Sequence, residues 1–166
     1  MVNIVGIHVE DVRFPTSKDL TGSDAIHTDP DYSATYVTIN TSEPKLKGFG
    51  IAFTIGKGND IVAECIRNYI PIFDGLSIKE VEENIGKLWF DCVDHSQLRW
   101  LGPEKGVVHM AVAALFNALW DLIAKKIENL CGNYMPPLDH GYSIEMKQKS
   151  VNTFSFPDGE YWINNT

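Results

Sequence analysis

The chain has 166 residues, 44% hydrophobic and 22% charged, the composition of a folded globular protein and not of a disordered one. Its net charge of −8 argues against a general nucleic-acid binder, which needs cations to neutralise phosphates. Cys65, Cys92 and Cys131 are widely spaced with no CxxC pair. That pattern disfavours zinc and a disulfide framework, and fits a reducing compartment.

The N-terminal MVNIVGIHVEDVRF is too polar for a signal peptide and lacks the character of an Arg-rich transit peptide. The expected location is therefore intracellular: cytoplasmic first, mitochondrial second. The next runs read as strands. In IVGIHVEDV, Val5, Ile7 and Val9 share one face, with His8 and Glu10 on the other. In TYVTIN, Val37 and Ile39 alternate with Tyr36, Thr38 and Asn40. In GFGIAFTI, Phe49, Ile51, Phe53 and Ile55 alternate with the small Gly50 and Ala52. SEPKLKG between the last two carries Pro and Gly turn signals. Together they predict an antiparallel meander with one buried face.

Helices follow. Asn59 or Asp60 is placed to cap a helix carrying Ile61, Val62, Cys65, Ile66, Tyr69 and Ile70 on one face, with Pro71 ending or kinking it. Ser77 and Glu80 form a capping-box pattern ahead of Val81, Ile85, Leu88 and Trp89. A third helix is predicted from about Val107 to about Lys126. It nears membrane-spanning length, but His109, Asn117 and Asp121 interrupt it. A central, buried helix is the better reading, with no membrane partner. The tail has little periodicity and a turn at Pro157-Asp158-Gly159. Its Tyr134, Met135, Phe154, Phe156, Tyr161 and Trp162 predict an extended segment laid on the core.

Few residues carry obvious chemistry. The loop GSDAIHTDPDY offers His27, Asp29 and Asp31 to a cation, but Pro30 between two aspartates reads better as a turn. The Gly and distant Glu of an EF-hand are missing. A ligand-contacting loop stands above a metal site. Gly56-Lys57-Gly58 sits between strand and helix, where amides and Lys57 meet an anion, yet a plain connection is the commoner case. Lys45 and Lys47 lie in a Pro-containing hairpin where nothing desolvates them. His109 reads as a satisfied core histidine. No Ser/His/Asp or Cys/His set has a recognisable context.

The blocks DVRFPTS, GSDAIHTDPDYSATYV, FTIGKGND and SQLRWLGPEKGVVHMA resemble the N-terminal capping domain of the L-fuconate dehydratase family, on the mandelate-racemase side of the enolase superfamily. The tail YMPPLDHGYSIEMK and FPDGEYW resembles the same family's C-terminus. The resemblance implies a cap that closes over a modified TIM barrel. In the family that barrel holds the catalytic Lys-x-Lys strand, three acidic Mg²⁺ ligands and a histidine. Here AKKIENL runs directly into CGNYMPP, where the family has its barrel. Lys45 and Lys47 do not match the catalytic pair.

The expected fold is therefore α+β: an enolase-type cap over residues 1–130, with residues 131–166 packing back on it and no TIM-like barrel. The resemblance places Gly22, Ser23, Asp24 and Tyr32 against a sugar acid, with Lys57 as a weaker candidate. It assigns no catalytic residue and no ligand for Mg²⁺ in this chain. The implied partners are L-fuconate and either a second copy or an intact enzyme subunit. Apolar surface left open around Trp100, Leu101 and the third helix would favour self-association.

Overall fold

The computed structural model describes residues 1–98, 101, 106–131 and 146–164. Three strands, β1 (Ile4–Arg13), β2 (Ser33–Thr41) and β3 (Lys47–Thr54), form an antiparallel sheet in the order β1-β2-β3. Behind it lie α1 (Asn59–Phe73), α2 (Ile78–Val93) and α3 (Val107–Cys131). The C-terminal segment forms two short helices, α4 (Gln148–Phe154) and α5 (Glu160–Ile163).

The inner face of the sheet is built from cross-strand rows. Ile7 faces Ile39, which faces Gly48, and Val9 faces Val37, which faces Gly50. The next two rows are Asp11–Thr35–Ala52 and Arg13–Ser33–Thr54. The face thus runs from apolar at one end to polar at the other. The backbone of α3 presses onto β3 where the side chains vanish. A Cβ added at Gly48 would lie 2.1 Å from the Ala118 carbonyl oxygen, and one at Gly50 2.0 Å from that of Ala114. α3 is long and apolar enough to cross a membrane, but most of its apolar side chains lie inside the fold. Val108, Ala111, Val112, Leu115, Leu119 and Leu122 are buried in the core shared with α1 and α2.

Several expectations change. Val5 does not share the face of Ile7: the register shifts between Ile4 and Gly6, and Val5 is 58% exposed while Ile4 is buried. The sheet has two buried faces. On the outer one, Val12, Tyr36 and Phe49 are covered by Met146 and Phe154, and the Met146 amide donates to the Tyr36 hydroxyl at 3.0 Å. The tail is helical in part, and among its described residues Ser155 pairs as strand, with Val12. Tyr134 and Met135 lie outside the described residues, as does Trp100; Leu101 and Trp120 are exposed.

α1 is capped by Gly58, in the left-handed region at φ 87°, and not by Asn59 or Asp60. Pro71 does not end it. The helix continues to Phe73, whose full burial against Phe116 holds the last turn. The capping box of α2 forms as expected: the Ser77 side chain accepts from the Glu80 amide, and the Glu80 carboxylate accepts from the Ser77 amide. Both sheet edges are occupied. The Phe49 amide donates to Asp121 of α3 at 2.8 Å, and Arg67 of α1 donates to the Val9 carbonyl at 3.2 Å. Burial raises the Cys65 thiol pKa and pushes that of Cys92 up to about 12, so both are unreactive core residues.

The helix–sheet contact makes opposite predictions for two glycines. Gly50→Ala forces backbone apart and is expected to cost about 3 kcal/mol. Gly86→Ala, in α2 with open space at its Cβ, is expected to gain about 0.5–1 kcal/mol. Guanidinium unfolding midpoints read both; a mild effect at Gly50 would refute the close approach.

Candidate functional site

The polar end of the sheet is where the chain leaves β1 and returns to β2. The intervening loop is pinned at its base. Thr16 donates to the Pro30 carbonyl at 2.7 Å and accepts from the Tyr32 amide at 3.0 Å. The Ser17 amide donates to Asp31 at 3.0 Å, and the Asp31 amide donates to the Ile55 carbonyl at 3.2 Å. The tip closes on itself. Asp24 Oδ1 accepts from the Ile26 and His27 amides, both at 2.7 Å, and its other oxygen lies 3.3 Å from His27 Nδ1. Gly22 has φ 76°, and the Tyr32 ring stands where its Cβ would be. The Tyr32 hydroxyl donates to the Gly22 carbonyl at 3.1 Å. A side chain at Gly22 would expel that ring.

Beneath the loop, a buried network fixes the start of α1. Asn59 is fully buried. Its amide nitrogen donates to Asp11, and its carbonyl oxygen accepts from Thr35 and Thr54, each at 2.9 Å. Arg13 grips Asp11 with Nε and Nη2 and reaches Asp60 at 3.3 Å. The bond to Asp11 raises the Arg13 pKa further. These are inner-face residues of the two polar rows, so the sheet register itself assembles the network.

Two adjoining hollows result. The smaller, about 220 Å³, is lined by Gly22, Asp24, His27, Pro30, Tyr32, Phe53 and Ile55. The larger, about 610 Å³, shares His27, Pro30 and Ile55 and adds Arg13, Asp29, Asp31, Lys57, Phe156 and Trp162. Gly22, Asp24 and Tyr32 are thus brought together, and Lys57 lies next door. Ser23 lines neither hollow, and its hydroxyl donates to the Leu20 carbonyl at 2.5 Å. Arg13, Phe53, Phe156 and Trp162 were not singled out as site residues in the sequence. Their only signals were the DVRFPTS block, the β3 alternation and the aromatic tail.

The described residues contain no group of three or more His, Cys, Asp or Glu placed to hold an ion. Asp24 spends one oxygen on two amides and Asp31 is taken by Ser17. These side chains therefore do not fit a resident Mg²⁺. What they offer is carboxylate and carbonyl acceptors for hydroxyls, one lysine, and apolar walls.

A three-stranded meander backed by helices, with the β1–β2 loop walling a cleft at the sheet end, is the N-terminal capping fold of the enolase superfamily. No family model matches the chain. Human mitochondrial enolase superfamily member 1 superposes with a TM-score of 0.72 at 43% identity, covering 81% of this chain and 32% of that one. By sequence, the chain is 48% identical over 124 residues to mitochondrial enolase superfamily member 1 of Xenopus laevis, and 48% identical over 126 residues to L-galactonate dehydratase of Hypocrea jecorina. Each match takes in about three quarters of this chain, 74% and 76%, and 28% of the relative. The chain thus spans under a third of the length of these relatives, and in the part matched it belongs to the enolase superfamily. An enolase from Pantoea ananatis with bound d-gluconate and Mg shares the fold at 23% identity and a TM-score of 0.53.

Asp24 makes the loop sensitive to acid. The His27 amide first, then that of Ile26, holds its pKa below the ordinary carboxylate value. A depressed folded pKa stabilises the turn above the unfolded value, and that contribution is lost as pH falls through the folded one. Protection factors of the Ile26 and His27 amides should be steady near about pH 6 and drop below about pH 4. Asp24→Ala should abolish them at both pH values without moving the unfolding midpoint. Unchanged protection in that variant would show that another group holds the turn.

Proposed function

We propose that this chain supplies the substrate-contacting cap of a sugar-acid dehydratase acting on L-fuconate, and that it is inactive alone. The reaction is the Mg²⁺-dependent loss of water that gives a 2-keto-3-deoxy acid. The observation that carries the reading is the convergence of Gly22, Asp24 and Tyr32 on one hollow beside Lys57. Asp24 accepts from substrate hydroxyls, the Gly22 backbone and the Tyr32 ring shape the wall, and Ser23 holds the loop through Leu20. These groups orient substrate and exclude water; none is placed to move the proton α to the carboxylate. The relative named L-galactonate dehydratase supports a sugar-acid substrate.

L-Fuconate is L-galactonate with a methyl in place of the terminal hydroxymethyl. The smaller hollow meets its ligand with Phe53 and Ile55, both apolar, and such a wall favours the methyl. The names of the Xenopus laevis and human relatives support a mitochondrial setting, with the cytosol as the alternative.

A second reading is a non-catalytic module that docks on an intact enzyme subunit. It is favoured by the exposure of Ile26, Tyr32, Phe53 and Ile55 around the loop. Incubating the chain with L-fuconate and Mg²⁺ should yield no 2-keto acid above the protein-free background, and product would overturn the inactive-cap reading. L-Fuconate should bind about tenfold more tightly than L-galactonate; the reverse order would remove the fuconate assignment. Co-elution with an intact subunit but no affinity for either acid would select the docking module.

A further inference from the structure

Between the turn at the loop tip and the clamp at its base, the fold leaves two residues loose. Thr28 and Asp29 are exposed, and no backbone hydrogen bond ties either of them among the described residues. The Thr28 hydroxyl makes one long contact, 3.4 Å to the Asp29 carboxylate. The stretch from Thr21 to Tyr32 carries Asp24, Asp29 and Asp31 and no lysine or arginine. Asp29 and Asp31 stand one and three residues after Thr28. A protein kinase whose substrate groove is basic selects a hydroxyl followed by acids in this way, because its cations pair with those carboxylates.

The other hydroxyls with an acid three residues on are less available. Thr16 donates to the Pro30 carbonyl, Ser77 is the buried cap of α2, and the Ser155 hydroxyl is buried. Thr21 is exposed, but Gly22 follows it, and its Asp24 is held by the amides of Ile26 and His27. Thr28 alone joins an accessible, uncommitted hydroxyl to acids at both positions, on backbone free to extend into a groove.

We propose that Thr28 is a phosphorylation site for an acidophilic serine/threonine kinase. The Thr28 oxygen bonds to the γ-phosphorus of ATP, the bond from that phosphorus to its bridging oxygen breaks, ADP leaves, and the hydroxyl proton passes to the kinase's base. The product carries a charge of about −1.5 to −2 at neutral pH. It stands between His27 and Asp29, which line the hollows, and so opposes the entry of an anion. The site does not depend on which acid the cleft accepts.

Treating the full chain with recombinant casein kinase 2, ATP and Mg²⁺ tests it, with intact mass and fragmentation as readouts. One phosphoryl group on Thr28 is expected. Thr28→Ala should abolish incorporation without moving the unfolding midpoint, Thr28→Ser should keep it, and Asp29→Asn should slow it about tenfold or more. A synthetic peptide of residues 20–35 serves as the unfolded control. Phosphorylation of the peptide but not of the folded chain would overturn the claim that the fold presents Thr28. Failure of both would overturn the recognition, as would incorporation that persists unchanged in Thr28→Ala.

Discussion

The close approach of α3 to β3 governs the rest of the structure. Gly48 and Gly50 remove the side chains that would hold a helix off the sheet, so helix backbone meets strand backbone. Interiors are packed densely, and such an approach leaves no room for adjustment. It fixes the rotation of α3, which then offers Phe116 to Phe73 and Trp89, and so seats α1 and α2. It also explains how so apolar a helix is accommodated in this fold. Its faces are divided between the sheet and two other helices, and Asp121 and Lys125 are turned to the β3 edge, where they bond each other and the strand backbone.

The same register that places the glycines at one end of the sheet places Asp11, Thr35 and Thr54 at the other. A buried asparagine at the start of α1 then has partners for its amide on all three strands. Buried polar groups are tolerable only when satisfied. Here satisfaction requires correct strand alignment, so packing at one end and hydrogen bonding at the other specify a single register. Arg13 extends that order outward to Asp60 and Phe156. The cleft is in this sense a product of sheet alignment, with the loop laid over it.

Much of this was legible in the sequence, for local reasons. The Ser77–Glu80 box needs only four consecutive residues, and the β2 and β3 alternations carry their own turn. What failed depended on partners distant in the chain. Val5 reads as an inward residue until the bulge at Ile4–Gly6 is known. Pro71 reads as an end or a kink of the helix, and what rules out the end, the burial of Phe73, cannot be seen locally. The second buried face of the sheet is made by Met146 and Phe154, which no strand pattern announces. The loop stood out because it is polar and aperiodic, and the resemblance marked Gly22, Asp24 and Tyr32 within it. Arg13, Lys57, Phe156 and Trp162 are far apart in the chain, and the fold brings them to one hollow. Ser23 shows the converse limit: a motif position carries no information on where its hydroxyl is spent.

The loop is clamped at its base by Thr16 and Asp31 and closed at its tip by Asp24. It therefore arrives with its conformational entropy already surrendered to folding, and little remains to be lost when a ligand binds. The clamp and the turn tie three side chains, Thr16, Asp31 and Asp24, to backbone groups of the loop. Exposed positions between them, such as Ile26 and Thr28, are free to change without loosening either end. Substitution there changes the surface that the loop presents to the cleft while the scaffold beneath it stays the same.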